Sequence, residues 1–143
     1  MRRVMWLLFL SAVAVASLIS WSGETVAASG GASGKLTQQA VGGGVTVTAT
    51  LLKDQAESMA VKLALDTHSV NLDGYRLDTI ATLRDEAGKT YPVLGVEQAS
   101  GGGHHRQAVL RFGKVGPEVK MIELIVRDVA GVKERIFHWS TTE

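Results

Sequence analysis

Histidine is the side chain best able to bind a transition metal or to change charge near neutral pH, and this chain of 143 residues has four of them. Two are adjacent in Gly101-Gly102-Gly103-His104-His105-Arg106, where three glycines deliver three polar side chains to the start of an apolar run. A third, His68, follows the strand-like run Met59 to Asp66, inside Leu65-Asp66-Thr67-His68-Ser69-Val70-Asn71-Leu72-Asp73-Gly74-Tyr75. The fourth is His138. His68, His104 and His105 are the candidate ligands of a copper or zinc site, with Met59, Met121, Asp66 or Asp73 as a further donor.

The plainer reading is structural: His68 and His104 cap loop carbonyls and steady the glycine bend. Adjacent histidines lack the ligand spacing of a zinc motif, which favours this reading. Anion binding is a second possibility, because consecutive glycine amides can turn toward one point and Arg106 offers a fork of donors. Glycine is also the usual residue wherever a connection needs positive φ, so three glycines require no ligand.

Enzymatic readings find less support. Ser69, His68 and Asp66 are too close in sequence for nucleophile and base to face each other on a strand, and no Gly-x-Ser-x-Gly elbow occurs. Gly34-Lys35 does not complete a phosphate loop, since Ser29 stands where the first glycine belongs and Leu36 where a hydroxyl is needed. Leu72-Asp73-Gly74-Tyr75 lacks the repeated Asp or Asn positions of a calcium loop and reads as a bend, with Tyr75 covering the edge of the core. The absence of cysteine excludes a disulfide framework, a thiolate metal site, a catalytic thiol and a cysteine-linked lipid anchor. Arg2, Arg3 and Glu24 aside, 13 basic residues stand against 13 acidic ones, with no basic stripe suited to nucleic acid.

The elements that must position these residues begin outside the globular part. Residues 1–28 read as a signal peptide or an uncleaved anchor: Arg2 and Arg3 are followed by an uncharged apolar core and then small residues. Val26-x-Ala28 suits cleavage before Ser29, while the 18 residues from Val4 to Trp21 reach the lower limit for spanning a bilayer. On either reading the remainder lies outside the cytoplasm: periplasmic, extracellular, or membrane-attached only through this segment. Residues 29–44, rich in Gly, Ser and Ala, are expected to be a flexible linker.

Residues 45–143 form the expected domain, in which a period of two dominates. Val45, Val47, Ala49 and Leu51 alternate with threonines. Val61, Leu63 and Leu65, then Ala108, Leu110 and Phe112, then Ile122, Leu124 and Val126, and finally Phe137 and Trp139, mark further buried faces. Another strand is expected near Ile80 to Arg84, a turn at Asp85 to Gly88, and a return strand that is an edge or is interrupted at Pro92. Val129-Ala130-Gly131-Val132 reads as a hairpin turn. Seven or so short strands predict an all-β fold, an antiparallel two-sheet sandwich of immunoglobulin-like connection, with a partly open barrel as the alternative.

The pairing of Leu65-Asp66-Thr67-His68-Ser69-Val70 with Gly101-Gly102-Gly103-His104-His105-Arg106 resembles a loosely defined group of small exported or membrane-anchored, uncharacterised prokaryotic β-sandwich proteins. The likeness covers roughly residues 45 to 139 and implies that the two phrases belong together at one end of the domain. It implies no activity. The expectation is therefore a non-enzymatic extracytoplasmic binding or interaction module, contacting an envelope protein or other ligand through His68, His104, His105 and Arg106. A copper- or zinc-binding protein using His68, His104 and His105 is the alternative.

Overall fold

Apolar side chains at every second residue give a strand one face that gains by leaving water, and strands patterned this way find one another. In a computed structural model, which describes residues 24–27, 36–52 and 58–142, nine strands form one sheet around a shared core. They are β1 (Thr25–Ala27), β2 (Thr37–Gly42), β3 (Val45–Leu52), β4 (Met59–Thr67), β5 (Ala81–Asp85), β6 (Thr90–Gly102), β7 (His105–Phe112), β8 (Met121–Val129) and β9 (Val132–Ser140). A four-residue helix, α1 (Leu77–Ile80), precedes β5. Among the described residues no helix is long and apolar enough to cross a membrane. Most of the expected signal and linker segments, and the junction between Ala28 and Ser29, lie outside the described residues.

The order across the sheet is β1-β9-β8-β5-β6-β7-β4-β3-β2, and the sheet curls until it nearly closes into a barrel. Only β1 runs parallel to its neighbour; every other pair is antiparallel. The all-β class is as the alternation predicts, but the layering departs from two immunoglobulin-like sheets. Strand β6 is the reason. Its first residues pair with β5, up to Pro92 opposite Thr82, while Val93 onward pairs with β7. Proline has no amide hydrogen to give a ladder, so the chain changes partners beside it and one strand serves both halves of the wall. Register shifts between Val93 and Gly95 and between Glu97 and Ser100 add the curvature that closure requires.

The wall's ends are joined without a β-ladder. Strand β2 approaches β9, and side chains stitch the gap: the Gln38 amide donates to the His138 carbonyl and accepts from the His138 amide at 3.1 Å. Trp139 Nε1 donates to the Leu36 carbonyl at 2.9 Å, and Arg135 Nη2 to the Gly42 carbonyl at 2.6 Å. Thr37–Gly42, expected in the linker, is thus a strand of the wall, paired along its length with β3.

Inside, Val45, Val47, Leu63, Leu65, Leu83, Leu110, Phe112, Ile122, Leu124, Val126 and Phe137 are fully buried. The barrel has two poles. One collects the β2–β3 turn at Gly43 and Gly44, the loop from His68 to Arg76, the β6–β7 turn at Gly103 and His104, and the β8–β9 turn at Ala130 and Gly131. The other collects the turn after β5, the connection from Gly113 to Lys120, and the residues following β9. Leu72, wholly buried, plugs the first pole, with Val70 and Tyr75 packed beside it.

Candidate functional site

Cross-strand pairing builds the site from the backbone outward. Thr46 on β3 lies opposite Asp66 on β4, and Asp66 lies opposite His105 on β7. Leu65 on one side of Asp66 points into the core, so Asp66 and its neighbours in the row point outward. Nδ1 of His105 meets the Asp66 carboxylate, with both side chains about half exposed.

Two turns complete the rim. Thr67 ends β4 with its hydroxyl donating to the Gly44 carbonyl at 2.7 Å while accepting from the amides of Ser69 and Val70, both at 3.2 Å. This local turn swings His68 and Ser69 out to the surface. Opposite, the β6–β7 hairpin places Gly101 and Gly103 in the left-handed region, at φ 85° and 60°. A Cβ on Gly101 would collide with the His105 carbonyl, so that position needs glycine for space as well as for conformation. The His104 carbonyl then accepts from the Thr67 amide at 3.0 Å, which locks the two turns together.

The result is an open cleft of about 460 Å³ lined by Gly44, Thr46, Asp66, Thr67, His68, Ser69, His104 and His105. The structure thus brings His68, His104 and His105 to one rim from stretches far apart in sequence. Thr46 and Thr67 were not singled out by sequence reasoning; the outward threonines of the Val45–Leu51 alternation were the available signal for Thr46.

Arg106 does not join them. It follows the inward parity of Ala108 and Leu110, and its Nη1 donates to the carbonyls of Leu72 at 3.1 Å, Asp73 at 3.3 Å and Tyr75. The Asp73 carboxylate accepts from the Gly103 amide at 2.7 Å, and the Gly103 carbonyl from the Leu72 amide at 2.7 Å. Arg106 thus braces the plugging loop from beneath while staying partly exposed. Two of the donors considered for an anion, the Gly103 amide and Arg106 Nη1, are spent in this way.

His138 stands at the opposite pole, its Nδ1 3.2 Å from Glu123 Oε1, with Arg84 donating to Glu123 Oε2 at 2.5 and 3.0 Å. Met121 and His138 line a second cleft there of about 420 Å³, and Met59 starts β4 at that same pole. Neither methionine can reach the three histidines, because the length of a nine-residue strand, about 30 Å, lies between. Among the described residues no set of three His, Asp or Glu side chains is arranged to hold one metal ion.

Comparison with known proteins brings no further assignment: no family model, curated protein or solved structure matches the chain.

Proposed function

We propose that the protein is a non-enzymatic extracytoplasmic binding module whose contact surface is the cleft between His68 and the His104-His105 turn. The supporting observation is the meeting of imidazoles from two remote stretches at one open rim, held by turns whose backbone groups are bonded to each other. An open cleft with exposed hydrogen-bonding side chains suits a polar loop of an envelope protein.

A second reading has one observation in its favour. The Asp66 carboxylate at His105 Nδ1 leaves Nε2 available, an orientation common among metal-ligating histidines. Copper or zinc would then be held by His105 with His104 or His68.

One double variant separates the two. The wild-type domain is expected to capture an envelope protein, and His104→Ala with His105→Ala to abolish that capture while leaving the thermal midpoint nearly unchanged. Equal capture by the variant would overturn the binding reading. Submicromolar Cu(II) or Zn(II) binding by the wild-type domain, abolished in the same variant, would install the metal reading instead.

A further inference from the structure

The short strand β1 lies inside the segment whose pattern suits removal on export. Cleavage before Ser29 would take all of it away. Yet β1 is built into the barrel: Thr25, Val26 and Ala27 pair in parallel with Glu134, Arg135 and Ile136, and the Glu24 carbonyl accepts from the Lys133 amide at 3.0 Å. Val26 packs against the core, and its Cγ2 stands 3.5 Å from where a Cβ on Gly42 would be. It therefore fills the junction at which β2 and β9 approach without a ladder.

Arg135 makes the same point from within. It is fully buried, donating from Nη1 to the Val129 carbonyl at 2.9 Å and from Nη2 to the Gly42 carbonyl, and its Nε has no partner. Burial pushes the pKa of this guanidinium down, while the electrostatic influence of Tyr75 and Glu24 acts in the opposite direction. Loss of residues 24–27 would unpair the β9 edge at Glu134 to Ile136 and remove apolar cover beside a buried cation.

Direction matters as much as presence. Because β1 is parallel to β9 and begins opposite Glu134, the chain comes in at the pole of the β8–β9 turn, which is also the pole of the histidine cleft. Trp21, the end of the apolar stretch, is three residues before Glu24, a span of at most about 10 Å. We propose that the chain is not cut at Ala28, and that its N-terminal apolar stretch remains as an anchor holding the His68 and His104 pole toward the outer face of the membrane. The occupant of that side is the bilayer to which the chain's own first residues attach it. Any partner of the cleft is then met at the membrane surface.

The test uses the full chain, exported in a bacterial host, and two single-cysteine variants, since the protein has no cysteine of its own. Mass spectrometry of the isolated protein is expected to find the apolar stretch retained and the protein in the membrane fraction. A mature form starting at Ser29, or one starting anywhere after Trp21 in the soluble fraction, would overturn the proposal. For orientation, Gly74→Cys labels the cleft pole at a position where a side chain meets nothing within 4 Å, and Ala87→Cys labels the exposed turn at the far pole. In vesicles carrying headgroup nitroxide quenchers, the label at position 74 is expected to lose fluorescence and the label at position 87 to keep it. Equal or reversed quenching would overturn the orientation. Both readouts are taken without any ligand, so they succeed or fail independently of the binding reading.

Discussion

At the scale of single residues, Arg106 and His105 are neighbours with opposite duties. Strand parity was legible in the sequence: His105 shares the outer side with Gln107, and Arg106 the inner side with Ala108. What Arg106 touches was not legible, because its acceptors are carbonyls on a loop more than thirty residues away, whose path no local pattern records. Replacing Arg106 with alanine strips three carbonyls of their shared donor, so Arg106→Ala is expected to cost about 2–3 kcal/mol in urea unfolding. His105→Ala breaks a half-exposed pair and should change stability by no more than about 0.5 kcal/mol. If the two losses prove equal, the division between brace and surface is wrong.

Among elements, the strands with a clean period of two were readable from alternation alone. The inward residues named in what became β3, β4, β7, β8 and β9 are all buried. Strand β2 escaped notice for a physical reason: its pattern is inverted in two places, with Gln38 buried at 3% exposure and Val41 exposed at 66%. Gln38 faces inward because its amide stands in for a missing strand against His138. Gln38→Ala should therefore lower stability by about 1–3 kcal/mol and speed hydrogen exchange at the His138 amide, while amides in the middle of β4 stay protected.

The turn after β5 carries a second element-scale prediction. Amide donors, that of Lys120 foremost and then those of Glu86 itself and Met121, hold the Glu86 carboxyl below its ordinary value of 4.5. The unfolded chain thus takes up this proton first on acidification. The contribution to stability is present above the ordinary value and is lost as pH falls through the folded one. Denaturation midpoints measured down this range should fall less steeply for Glu86→Gln than for the wild type.

For the molecule as a whole, periodicity identified the all-β class and left the layering open, since a sandwich and a barrel share the same alternation. Pro92 held the clue, and its reading as an interruption points to the place where β6 changes partners. The gathering of remote histidines at one pole follows from the curled, nearly closed wall, and so does the need for a plug. Leu72 fills that pole with no exposed surface, and Leu72→Ala is expected to cost about 2–5 kcal/mol, seen as a lower urea midpoint at unchanged slope.

The side-chain stitching between β2 and β9 carries one more consequence. The wall's two margins, β2 at one end and β9 with β1 along Glu134 to Ile136 at the other, are unlike, so if the stitching gives way, β2 of one copy can pair with the part of β9 beyond β1 in another, leaving the same two margins open at the ends of the pair. Such head-to-tail addition propagates from copy to copy and stops only where its rotation closes a ring. Concentrated Gln38→Ala protein is accordingly expected to grow linear filaments rather than stop at dimers, with light scattering that rises continuously with concentration.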